Sequence, residues 1–238
     1  YPLTSGFTAM SVVWRAPGQE LKVYSKGSPE AILALCKAPV EMERRVLQEV
    51  HTMASRGLRV LAVANAKYPS EVPLPDSQRG FDAMYLGLIG FEDPIREDVP
   101  SALMECRSAG VRVIMLTGDY PETARTVASR IGLEGPVASG KDVELAQEPE
   151  LRALVQSTVV FARVSPEQKL RIVQALRANG EVVAMTGDGV NDAPSLKWAD
   201  VGIAMGERGT DVAREASSIV LLDDSFGSIV AAIRLGRR

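Results

Sequence analysis

The chain has 238 residues, 46% of them hydrophobic and 24% charged, which is enough apolar material for one sizeable core or two modest ones and excludes a disordered polymer. Its 27 Lys and Arg are scattered among 30 Asp and Glu, for a formal net charge of −3, so the concentrated basic footprint of a nucleic-acid binder is absent. No apolar run approaches the roughly 18 residues that would span a bilayer, and the first residues lack a basic-then-apolar signal pattern.

Apolar and polar residues alternate over 10–14 and 21–24, which predicts strands, and 40–54 carries helical spacing closed by Gly57 at a C-cap position. His51, the single histidine, falls on that helix with no second His or Cys nearby, so neither a metal site nor a catalytic histidine is expected. Residues 58–64 read as the next strand. Pro69, Pro73 and Pro75 make 68–80 a surface connection, and a boundary there gives two domains, 1–80 and 81–238.

From residue 84 the rhythm changes to short apolar runs separated by helical segments: a strand over 84–91, a helix to Ala109, a strand over 111–116, then a helix through Ile131. Further strands are expected at 158–161, 182–185, 201–204 and 219–222, with helices opening at Ser165-Pro166, near Asn191 and near Thr210. Ser165 can cap the open amides while Pro166 in the first turn loses no hydrogen bond. This alternation predicts an α/β fold with a doubly wound parallel sheet covered on both faces. Cys36 and Cys106 lie in apolar helical patterns and read as reduced core residues.

In such sheets ligand groups collect at the carboxyl ends of strands, and the polar motifs fall there. The run ending at Leu116 continues Thr117-Gly118-Asp119, and the run ending at Met185 continues Thr186-Gly187-Asp188-Gly189-Val190-Asn191-Asp192. Glycine lets the backbone approach an anion, Thr can bond a phosphoryl oxygen and carboxylates can hold Mg²⁺. A lone TGD is also a good turn. TGDGVNDAP is more specific, because its crowded polar side chains are costly to bury unless a cation or phosphate compensates them. Lys169, one turn into the helix opened by Ser165, adds its charge to the positive end of the helix dipole. Thr117, Lys169 and Asp188 together match a haloacid-dehalogenase-type phosphoryl site.

The runs 161–169 and 186–206, Asp93-Pro94-Ile95-Arg96 and Lys26-Gly27-Ser28-Pro29-Glu30 resemble, in order, the motifs of P-type cation-transporting ATPases, closest to the calcium-type and related bacterial pumps. The resemblance implies a haloacid-dehalogenase-like phosphorylation domain joined to a partial α+β nucleotide-binding domain, with ATP and Mg²⁺ as cofactors. It implies that Asp188 is the Mg²⁺ ligand, that Thr117 and Gly118 hold the transferring phosphoryl group, that Lys169 neutralises it and that Asn191 and Asp192 complete the network. Asp119, Arg163 and Arg96 would lie near the ribose and phosphates or help close the two domains. Lys26 and Gly27 would line the adenine pocket, and Arg59 would reach the phosphates; taken alone, Arg59 reads as a salt-bridge residue.

The resemblance has gaps. The family's aspartate acceptor lies in a DKTGT motif that this sequence lacks, and Asp93, followed by Pro94, is no substitute. Without the acceptor the chain cannot form the phosphoenzyme and is expected to be inactive alone. Leu3 and Thr8 occupy the places of an adenine-pocket aromatic and lysine. The resemblance implies a cytoplasmic segment of an integral membrane pump, partnered by ATP, the actuator and transmembrane domains and, through absent helices, the transported cation. Loss of the central acceptor strand is expected to leave two sheet edges unpaired, with dimerisation or strand exchange as the available repairs. A stand-alone nucleotide-binding module and a soluble phosphatase of the haloacid dehalogenase type are the competing readings.

Overall fold

The computed structural model describes residues 1–4, 6–15 and 20–237, and their contacts divide the chain into two units, Tyr1–Asp93 and Pro94–Arg238. In the first, β1 (Ala9–Trp14), β2 (Leu21–Gly27), β3 (Arg59–Tyr68) and β4 (Met84–Phe91) form one antiparallel sheet in that order. The period of two is visible in β2, where Leu21, Val23, Ser25 and Gly27 are buried and Lys22, Tyr24 and Lys26 are exposed. Helix α1 (Pro29–Leu35) packs Ala31, Ile32 and Leu35 against Ala9, Ala62 and Ala64. Ser28 opens it by accepting the Ala31 amide at 3.2 Å. The amphipathic α2 (Val40–Ala54) buries Val46, Val50 and Ala54, and Gly57, at φ +87°, turns the chain out of it. Cys106 is buried, as a core residue would be, whereas Cys36 is only half-buried, packed against the cluster under α1. Burial pushes the Cys36 thiol up to about 11.

The boundary differs from the one expected at 80/81. Residues 84–91 do not open the parallel sheet: β4 runs antiparallel to β3, with Leu61 opposite Ile89 and Arg59 opposite Phe91, so the first unit continues to Asp93. A short apolar run does not specify which sheet it joins; the free edge of β3 does.

The second unit alternates as expected: α3 (Val99–Ser108), β5 (Met115–Leu116), α4 (Pro121–Arg130), β6 (Val137–Ser139), α5 (Gly140–Leu145), α6 (Glu148–Ser157), β7 (Val160–Ala162), α7 (Pro166–Ala178), β8 (Ala184–Gly187), α8 (Ala193–Trp198), β9 (Val201–Met205), α9 (Asp211–Ala216), β10 (Ile219–Leu221) and α10 (Phe226–Gly236). β6, α5 and α6 had no counterpart in the sequence reading. The strands are parallel but form two pieces, β5-β7-β6 and β10-β9-β8, with β5 and β8 as edges. Leu116 and Val183 pack against the apolar clusters of both pieces, so the pieces share a core, although among the described residues no ladder joins β5 to β8. All three residues of β7 are buried, as a strand covered on both faces must be.

Candidate phosphoryl site

The two polar strand ends follow β5 and β8, which no ladder joins to each other among the described residues. At the end of β5 the Thr117 hydroxyl donates to Asp119 Oδ2 and accepts the Asp119 amide, both at 3.1 Å. The Arg163 amide donates to the Asp119 carbonyl at 3.0 Å and the Val164 amide to the Thr117 carbonyl at 3.1 Å. These bonds fasten the TGD turn to the loop that opens α7. There Ser165 and Gln168 form a reciprocal capping box, fixing the first turn of the helix that carries Lys169.

Lys169 Nζ lies 2.7 Å from Asp192 Oδ1, with side-chain exposures of 18% and 10%. The second Asp192 oxygen accepts the Gly189 amide at 3.2 Å. One carboxylate therefore joins the α7 lysine to the turn after β8. A Cβ at Gly187 would come within 2.6 Å of the Asp192 Cβ, so glycine there is what lets Asp192 fold back. Gly118 has open space where a Cβ would point; no protein atom forbids a side chain there.

Asp188 is exposed after β8, and its carbonyl accepts the Thr210 amide at 2.9 Å. Asn191 is exposed in the short 3-10 turn Val190–Asp192. Among the described residues no group of three or more His, Cys, Asp or Glu could hold a metal ion. Mg²⁺ differs from zinc in needing only one or two protein carboxylates, with water and phosphate oxygens completing its shell, and an exposed Asp188 beside glycine-rich backbone fits that donor set.

Arg163 adopts φ +56°, and its guanidinium carbon lies 4.4 Å from the centre of the Tyr120 ring, a cation–π contact. Its carbonyl is pressed against Gly140, where a Cβ would stand 2.2 Å away. Arg96 donates to the Asp224 backbone carbonyl, so the segment that begins the second unit is tied to the β10–α10 corner.

Lys26, Gly27 and Arg59 belong to the first unit. Lys26 is exposed on β2 and paired in register with Met10 and Val63, and Arg59 is exposed at the start of β3. Gly27 has a packing reason of its own: a Cβ would lie 2.4 Å from the Thr8 carbonyl oxygen. Leu3 is exposed, and the Thr8 hydroxyl is spent on Ser28 at 2.8 Å. Sequence reasoning had not singled out Tyr120, Thr210 or Asp224. Tyr120 adjoins a motif residue and Thr210 had been noted only as a helix start, but Asp224 carries no local signal.

Comparison with known proteins adds the family. The model of the haloacid dehalogenase-like hydrolases matches residues 23–200. The chain is 40% identical to the calcium-transporting ATPase of Bacillus subtilis, with 100% of this chain aligned to 28% of that protein. It is 41% identical to the cation-transporting ATPase pma1 of Synechocystis, 99% against 27%, and 39% identical to the sodium/potassium exporting P-type ATPase cta3 of Schizosaccharomyces pombe, 100% against 25%. The chain thus spans roughly a quarter of the length of these curated relatives. With parallel strands whose polar ends carry TGD and TGDGVND, and a family match running through both, the chain belongs to the haloacid dehalogenase-like hydrolases.

Proposed function

We propose that this chain is the ATP-binding and phosphoryl-handling part of a P-type cation pump that works through an aspartyl-phosphate. The observation that carries the reading is the polar end of β8, with Asp188 exposed and Asp192 held between Lys169 and the Gly189 amide, beside relatives named as cation-transporting ATPases. Asp188 holds Mg²⁺, which when bound neutralises phosphoryl charge. Thr117 turns its hydroxyl from Asp119 to a phosphoryl oxygen, and the open space at Gly118 lets backbone approach it. Lys169 contributes positive charge through a position fixed by Asp192 and the α7 cap, and Asn191 completes the network. Asp119, Arg96 and Arg163, the last stacked on Tyr120, serve nucleotide binding in the second unit. Lys26, Gly27 and Arg59 serve nucleotide binding in the first unit.

The sequence supplies no aspartate in a DKTGT setting. On this reading the acceptor strand is supplied by another segment of the pump and belongs between β5 and β8, which no ladder joins among the described residues. On this reading the 238 residues bind nucleotide without turnover. They work on the cytoplasmic side, beside actuator and transmembrane domains whose helices hold the cation; in isolation, copies of the chain pair through the open edges. Among the described residues no helix is long and apolar enough to cross a membrane.

Calorimetric titration with ATP, with and without Mg²⁺, tests the assignment. Wild type is expected to show a Mg²⁺-dependent gain in affinity that Asp188→Ala lacks. Equal binding by the two proteins, or none by either, would sink it.

A further inference from the structure

Asp224 closes the turn between β10 and α10 in a conformation that side chains rarely adopt, φ +51°. Asp and Asn tolerate that region better than other non-glycine residues, so a tight turn alone would explain the residue type. Its surroundings go further. The residue is only 5% exposed, and its carboxylate accepts two backbone amides from the loop after β9: Glu207 at 3.1 Å through one oxygen and Arg208 at 2.9 Å through the other. Burial raises the proton affinity of this carboxyl, but the amides of Arg208, Glu207 and Gly206 and the charge of Arg96 outweigh it, holding the group below its ordinary range.

The loop so held has little freedom left. A Cβ on Gly209 would stand 1.9 Å from the Met205 carbonyl oxygen, and Arg214 donates to the carbonyls of Gly206 and Gly209. The next residue, Thr210, donates its amide to the carbonyl of Asp188 at 2.9 Å and caps α9 with its hydroxyl. A continuous path therefore runs from the Asp224 carboxylate through 207–210 to the backbone of Asp188.

We infer that Asp224 is a positioning residue for the phosphoryl site, its carboxylate holding the loop 206–210 so that Thr210 fixes the backbone, and hence the aim, of Asp188. This rests on the reading of Asp188 as the Mg²⁺ ligand. The same corner carries the start of the second unit, because Arg96 donates to the Asp224 carbonyl and Ser225 Oγ to Asp98 Oδ2 at 2.9 Å.

Asp224→Asn tests this in the whole chain, because Asn keeps the size and tolerates the backbone conformation while one acceptor oxygen becomes a donor facing an amide. Asp223→Asn is the control: that neighbouring carboxylate bonds only Ser225 and Ser228 among the contacts of this turn. The readouts are amide hydrogen exchange at Glu207, Arg208 and Thr210 without metal, and Mg²⁺ affinity followed at the Gly189 amide resonance. Asp224→Asn is expected to speed exchange at all three amides and weaken Mg²⁺ about tenfold, the scale of losing an outer partner of a metal ligand, while Asp223→Asn changes neither. Unaltered Thr210 exchange, or Mg²⁺ affinity matching wild type, overturns the inference, as does an equal effect in the control. If wild type takes up no Mg²⁺, the ligand reading of Asp188 fails separately. The positioning claim then stands or falls on Thr210 exchange and the Asp188 carbonyl shift in Asp224→Asn.

Discussion

In the first unit the four strands make one antiparallel sheet, its β3–β4 register shifted once between Val63 and Ala64, and buried Ser11 meets Ser25 and Gln78 at 2.7 Å while Gln78 returns a bond to the Ala9 carbonyl. In the second unit the parallel strands form two three-stranded pieces, and the polar runs 117–119 and 188–192 follow β5 and β8, one edge of each piece. Positive backbone angles outside glycine occur in both units, at Lys37 in the first and at Arg163 and Asp224 in the second, so the contrast lies in strand pairing. A sheet whose strands all pair in one order leaves no internal place; on the proposed reading the place between β5 and β8 is left for the acceptor strand.

The contrast can be broken or sharpened by asking whether the units lose stability separately. Trp14 lies in the first and Trp198 in the second, and both are more than half exposed, at 64% and 51%, so Trp14→Phe and Trp198→Phe backgrounds report one unit each by fluorescence. The largest effect is expected from Phe161→Ala, which removes a ring with 0% exposure from the centre of β7 and should cost about 3–5 kcal/mol. The Trp198 urea transition should move and the Trp14 transition stay. A common shift would show that the units unfold as one.

A smaller change, Ser165→Ala, removes the cap of α7 and with it one half of the capping box; a loss of about 1 kcal/mol is expected in the Trp198 transition. Because Lys169 lies in the helix so capped, nucleotide affinity should fall alongside. Affinity unchanged at full loss of the cap would detach Lys169 from the site.

The smallest expected effect is that of acid. Asp142 is held below the ordinary carboxylate range by the Ser139 hydroxyl and amide, Asp200 by the Val183 amide, Asp223 by the Ser228 hydroxyl and Ser225 amide, and Asp224 despite its burial; all are in the second unit. A depressed folded-state pKa stabilises the fold above the unfolded value of about 3.9, and that stability is lost as pH falls through the lower folded values. Urea midpoints followed from neutral pH downward should therefore fall for Trp198 before Trp14, and the reverse order would contradict the assignment of these carboxylates.

Much of this molecule was legible in the sequence. The period of two in β2, the amphipathic α2, the strand–helix alternation after residue 98, the cap at Ser165 and the helix start near Thr210 are each encoded within a few residues, because period and capping depend on near neighbours. The polar ends of β5 and β8 were legible for the same reason. Strand limits were less so: 111–116 contributes only Met115–Leu116 to a ladder, since an apolar run marks burial and hydrogen bonding depends on a partner.

Only the tertiary structure decided that β4 completes the antiparallel sheet and moves the boundary to Asp93, that Lys169 finds Asp192 23 residues away, and that Asp224 reaches back to the loop behind Asp188. These contacts join residues far apart in sequence, and their existence depends on the whole chain having closed around them. Local composition determined which elements form and which of them carry polar ends; the choice of partner for each edge and each buried carboxylate was made by packing.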